Sequence, residues 1–193
     1  MKKILSKEEH EKKKRRNSLI VGGVLVFLML FSTLGYAFSS KSSDNTALSK
    51  TKYHGISFLN NGDFWIGQTA DYQIYLKNKP TEGNSSEIAK QVLDYSGKPL
   101  YLVSQEYVAE NLVMINLGAG GANNIALRTQ RACFENMPCE IDAPIKTCED
   151  NLIIIANATT PSITEDKNCV FIKGPEENLT QLTDEFVLNV FGI

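Results

Sequence analysis

The longest unbroken apolar stretch of the chain runs from position 18 to 38, SLIVGGVLVFLMLFSTLGYAF, 21 consecutive residues without a charge. A helix of that length rises about 30 Å, the thickness of a bilayer's hydrocarbon core, so the segment predicts a single transmembrane helix. Lys12, Lys13, Lys14, Arg15 and Arg16 stand immediately before it and only Lys41 follows closely. That bias keeps the N-terminus in the cytoplasm and exports everything after residue 38. Gly35 and Ala37 have the small-residue spacing of a cleavage site before Phe38, which makes secretion after signal cleavage near Ala37 the alternative. Cleaved signals usually have an apolar region of only about 7 to 15 residues, and the longer run here favours an uncleaved anchor.

The pattern changes at once beyond the span. Residues 39–52, SSKSSDNTALSKTK, are Ser-rich and polar with no apolar period, and read as a linker between the membrane and a domain over 53–193. Within that domain Ile56 and Phe58 alternate with polar neighbours, Asn60-Asn61-Gly62-Asp63 marks a turn, and Phe64-Trp65-Ile66 resumes the apolar run. This predicts a strand, a turn and a strand, with a further strand over 72–76. Ser85 or Ser86 caps an expected helix that places Ile88, Ala89, Val92 and Leu93 on one face and stops at Gly97. Residues 100–103 and 112–117 read as short buried strands, with a helix starting over 107–109 as the competing reading for the second.

Residues 125–134 have helical spacing. The β-branched run Leu152-Ile153-Ile154-Ile155 suits a central strand covered on both faces. Another strand at Cys169-Val170-Phe171-Ile172 is expected to pair with it as a hairpin, across the turn-rich stretch 159–168. Leu179, Leu182, Phe186, Val187, Val190 and Phe191 form one stripe of a closing amphipathic helix. Strands and helices mixed without strict alternation give an α+β domain with one mixed sheet of about five strands and about three helices.

Charge narrows the functional classes. Residues 1–17 hold eight basic and three acidic side chains, which leaves 12 basic and 19 acidic residues beyond, a net of −7 for the rest of the chain. Such a surface repels nucleic acid. All four cysteines, Cys133, Cys139, Cys148 and Cys169, lie in the exported part. In an oxidising compartment that predicts two disulfides, with Cys133–Cys139 closing a small loop around Pro138 and Cys148–Cys169 closing a longer one preferred among three connectivities. Neither the C-x₂-C spacing of a zinc knuckle nor the C-x-x-C spacing of a redox pair is present.

Other motifs carry less. Asn84, Asn157 and Asn178 begin N-x-[ST] sequons in the exported part and are candidate glycosylation sites. The stretch Gly118-Ala119-Gly120-Gly121-Ala122-Asn123 after an apolar run resembles the phosphate-cradling turn of a dinucleotide site, but Asn123 replaces its third glycine. His54 is the only histidine outside the leader, so a His-rich zinc site is excluded, and no G-x-S-x-G elbow accompanies it. Glu149-Asp150, Glu165-Asp166 and Glu176-Glu177 fall in expected turns or helix starts, where acidic residues are usual. Trp65, Tyr72 and Tyr75 make either an aromatic binding face or core.

No metal and no cofactor is expected. The reading is a single-pass envelope protein of the plasma membrane whose exported α+β domain binds a partner, most simply another envelope protein. The alternative is an extracytoplasmic enzyme, a hydrolase using carboxylates or a serine, with its catalytic residues unknown. A pilin-like structural subunit ranks below both, because Arg16-Asn17-Ser18-Leu19 fits a pilin processing site poorly.

Overall fold

The computed structural model describes residues 17, 19–29, 49–81, 88–135, 137–139 and 141–193. The chain divides into two units, Met1–Ala47 and Leu48–Ile193. In the first, residues 19–29 are helical and exposed. No helix among the described residues is long and apolar enough to cross a membrane. Of the transmembrane helix expected over 18–38, residues 19–29 are among those described. Positions 18 and 30–38, including the cleavage-like Gly35 and Ala37, lie outside the described residues, as does the leader before residue 17.

The second unit is a mixed α+β domain. Its first sheet is an antiparallel meander of β1 (Lys50–Tyr53), β2 (Ile56–Asn60), β3 (Trp65–Gln68) and β4 (Gln73–Leu76), in that order. β1 starts inside the stretch expected to be linker, because Lys50-Thr51-Lys52 is an edge strand whose polar side chains give no alternation to read. His54 (φ 44°) and Gly55 (φ 83°) form the two-residue turn into β2, the double positive φ that matches strand twist. The expected turn at residues 60–63 joins β2 to β3, with Asn61 Oδ1 accepting from the Asp63 and Phe64 amides.

The second sheet has the order β10-β11-β9-β5-β6, built from β5 (Pro99–Ser104), β6 (Arg128–Arg131), β9 (Leu152–Asn157), β10 (Ser162–Asp166) and β11 (Cys169–Gly174). β11, β9, β5 and β6 run parallel, and β10 pairs antiparallel with β11. The central place expected for residues 152–155 is the one found. The hairpin expected between β9 and β11 is not. They are parallel neighbours, and the hairpin partner of β11 is β10, an exposed edge strand inside the stretch read as turns. β7 (Cys133–Phe134) and β8 (Ile145–Lys146) form a small parallel pair beside this sheet.

Three helices complete the domain: α1 (Val92–Tyr95), α2 (Tyr107–Leu117) and α3 (Glu176–Val190). The helix expected from Ser85 or Ser86 is only partly realised. Residues 82–87 lie outside those described, residues 88–91 are not helical, and Leu93 is exposed. Residues 112–117, read as a strand, belong to α2. Ala109, Leu112, Val113, Asn116 and Leu117 are buried at helical spacing, and Glu106 caps the helix by accepting from the Val108 and Ala109 amides. Residues 125–134, read as a helix, instead form β6 and β7. After β5 and α2 the chain returns beside β5, and a parallel ladder takes strand, not helix, at that place. α3 closes the domain as expected.

The central strands show why both faces of the second sheet are apolar. Ile153 and Ile155 enter the main core with Leu100, Leu102, Val170 and Ile172, packed against α3 through Phe186 and Val187 and against the meander through Phe58, Ile74 and Leu76. Leu152 and Ile154 point the other way, into a smaller cluster with Tyr101, Ala132 and Cys169. Two disulfides hold that second face, Cys133–Cys139 and Cys148–Cys169, with Cα separations of 5.6 and 4.9 Å. They are the pairings expected from spacing.

Candidate functional site

The outer strands of the two sheets are finished differently. On β4 the Asn123 side chain accepts from the Gln73 amide and donates to the Gln73 carbonyl, at 2.9 Å each. Asn116 does the same to Tyr75, at 2.9 and 2.8 Å. Two amide side chains thus stand in for a missing strand. Beyond them Asp184 of α3 accepts from the Lys77 and Asn78 amides and from the Asn78 side chain. The edge is sealed, as exposed edges usually must be.

β6 is not sealed. It pairs with β5 alone, and no side chain among the described residues hydrogen-bonds to its backbone. Beside it, between β6 and α2, lies a cleft of about 320 Å³ lined by Leu102, Tyr107, Glu110, Met114, Thr129 and Arg131, among others. Tyr107 is 72% exposed and Met114 41%, so apolar surface faces solvent at its mouth. At its wall Arg131 Nε and Nη2 donate to the two Glu110 carboxylate oxygens, each at 2.6 Å. Glu110 is buried, whereas the Arg131 side chain stays half exposed. The bidentate contact holds the guanidinium more firmly charged than usual. A buried carboxylate is expensive to desolvate, and packed apolar residues often stabilise as well or better. The pair therefore shapes the cleft more than it stabilises the fold.

Arg128 serves the opposite face of β6. Its Nη2 donates to the Tyr101 hydroxyl at 2.7 Å, and the Lys146 ammonium lies 4.1 Å from the centroid of the same ring. Contact with Lys146 first, and with Arg128 after it, lowers the Tyr101 pKa below the usual phenol value against the opposing effect of burial. Lys146 is itself tied to Asp150 at 3.0 Å.

A second cleft of about 230 Å³ opens at the carboxyl ends of β5 and β9, lined by Gln105, Glu106, Asn157 and Glu176 among others. In open parallel sheets ligands gather at such ends. Here the positive end of α2 is already occupied by the Glu106 carboxylate, and Glu176 and Glu177 place two negative charges in the first turn of α3, which disfavours an anion.

The other residues singled out from sequence do not converge. His54 sits in the exposed β1–β2 turn, stacked on Tyr53 at 4.2 Å. The glycine-rich stretch follows a helix rather than a strand. Gly118 and Gly121 pack where a Cβ would come within 2.4 Å of the Met114 carbonyl oxygen. The stretch therefore ends α2, and a helix C-terminus repels phosphate. Glu149 pairs with Lys167 at 2.6 Å, and Glu165 accepts from the Lys90 amide. Trp65 is core, Tyr72 packs edge-on to Phe191, and Tyr75 edge-on to Phe64. Asn157 is exposed at the end of β9 and Asn178 half-buried in α3. Asn84 lies outside the described residues. No group of three or more metal-ligating side chains occurs among the described residues.

Tyr107, Glu110, Met114 and Arg131 were not legible as a site, because α2 read as strand and β6 as helix. One signal was available: Arg128 and Arg131 are the only arginines outside the leader, three positions apart in an otherwise acidic region. No family model, curated protein or solved structure matches this chain.

Proposed function

We propose that this protein is a membrane-anchored binding module of the cell envelope, its domain outside the plasma membrane and its α2–β6 cleft the recognition site for another envelope protein. The observation that carries the reading is the unsealed edge of β6 lying directly beside a cleft with exposed Tyr107 and Met114. Exposed edges are otherwise a liability, and the same domain seals β4 with three side chains. Two disulfides fit an oxidising compartment. The basic leader and the uncharged stretch 18–38 support the anchor and its orientation.

The test is site-specific photo-crosslinking in intact cells, with a benzophenone side chain in place of Tyr107 and, separately, in place of Leu93, which is 78% exposed on α1. A discrete adduct from position 107, absent from position 93 and lost in Met114→Arg, supports the reading. Equal labelling at both positions, or none at 107, rejects it.

A further inference from the structure

We propose that the partner enters as an extended peptide that adds a strand to the open edge of β6, with apolar side chains facing α2 and acidic side chains facing Arg128. The proposal rests on the α2–β6 cleft being the recognition site and adds the mode and the sequence class.

Register supplies the geometry. Thr129 and Arg131 stand opposite Leu100 and Leu102, whose side chains enter the main core on the α2 side. Arg128 and Gln130 stand opposite Pro99 and Tyr101 and face the other surface, where Arg128 reaches the Tyr101 hydroxyl. The Ala132 amide donates inward to the Leu102 carbonyl, and the Tyr101 amide turns away from β6 to the Asn151 carbonyl. Alternation along a parallel ladder then turns the Thr129 and Arg131 amides outward, toward an added strand. Successive side chains of that strand fall alternately on the α2 side, over Met114 and Tyr107, and on the Arg128 side. Strand addition draws affinity from such main-chain bonds and specificity from pockets for alternate side chains.

Charge selects the occupant. On the α2 side Arg131 is already neutralised by Glu110, so that side offers an apolar wall. On the other side, among the described residues, Arg128 donates only to an uncharged phenol, and Lys146 lies over the same ring. A second copy of this chain fits badly, because its own β6, Arg-Thr-Gln-Arg, brings no carboxylate to Arg128.

The experiment uses the full chain in detergent micelles and a fluorescein-labelled nonapeptide of alternating valine and glutamate, read by anisotropy. A valine–lysine peptide of the same length is the control. The glutamate peptide should bind at least tenfold more tightly, and Arg128→Glu should reverse the preference. Thr129→Pro removes an outward amide and should abolish binding. Peptides N-methylated on one or the other set of alternate residues keep the test independent of any mutant's folding. Methylating one set should abolish binding and methylating the other should leave it.

Equal binding of both charge types, or equal effects of the two methylation patterns, overturns strand addition. So does a dimer of the chain that Thr129→Pro dissolves. A position-107 adduct that persists in Thr129→Pro leaves the cleft as the recognition site and rejects this mode alone.

Discussion

Asp184 offers a quantitative test of how α3 is fastened to the meander. Its side chain is 5% exposed and accepts two backbone N–H groups and the Asn78 amide at 2.8 to 3.0 Å. Those donors favour the carboxylate, but desolvation outweighs them, and Glu185 beside it adds a like charge. Together they push the Asp184 carboxyl from its ordinary 3.8 up to about 6. Glu185 is itself raised by burial. Between those two values the folded chain holds a proton that the unfolded chain has released, so stability falls as pH rises through the window. A rise of that size corresponds to about 3 kcal/mol. Asp184→Asn keeps the shape and one acceptor but cannot titrate. Urea unfolding of both proteins from pH 3.5 to 7 should show the wild type losing about 3 kcal/mol relative to the variant, most of it between pH 4 and 6. A difference independent of pH, or one that grows in favour of the wild type as pH rises, refutes the argument that burial dominates the three hydrogen bonds.

Other perturbations test the packing. Replacing Cys148 and Cys169 together by alanine opens a loop between residues 21 apart and should cost about 3 kcal/mol, against about 2 for the Cys133 and Cys139 pair six apart; an opposite ranking in denaturant midpoints would reject loop closure as the cause. Gly67→Ala puts a methyl 2.5 Å from the Phe58 ring and should lower stability by about 1 to 3 kcal/mol by overpacking, read as a drop in melting temperature. Tyr95→Phe removes a buried hydroxyl that has no hydrogen-bond partner among the described residues, and the melting temperature should hold or rise, corresponding to up to about 1 kcal/mol.

The parts of this fold legible in the sequence are those where burial imposes one period. Residues 152–155 are apolar at every position because β9 lies between β11 and β5 with a core on each face. The α3 stripe is legible because only one side of that helix is buried. The misread elements sit where the local signal is ambiguous or absent. Residues 112–117 are a short apolar run whose type is fixed by Glu106, a cap six residues upstream. β1, β6 and β10 are edge strands with polar or half-exposed side chains, so no alternation marks them, and their pairing is decided by neighbours far along the chain. The parallel relation of β9 and β11 depends on β10 being a strand, and its loss in the reading turned a three-strand arrangement into a hairpin.

The same reasoning explains why the candidate site was hidden while the disulfides were not. Four cysteines allow three pairings, of which spacing favours the one found, whereas the α2–β6 cleft exists only once two misread elements are brought together. Its members are also the residues a sequence reading discounts: one buried glutamate, one arginine on a polar strand, and an exposed tyrosine and methionine. Their meaning comes from contrast within the molecule. Asn116 and Asn123 show that this fold can close an edge with single amide side chains placed on α2 and the loop after it. That helix stands beside β6 as well, and toward β6 it presents Tyr107, Met114 and a carboxylate committed to Arg131 instead of amides for the backbone. An edge left open beside apolar surface, on a helix whose Asn116 helps to seal β4, is the arrangement that strand addition requires.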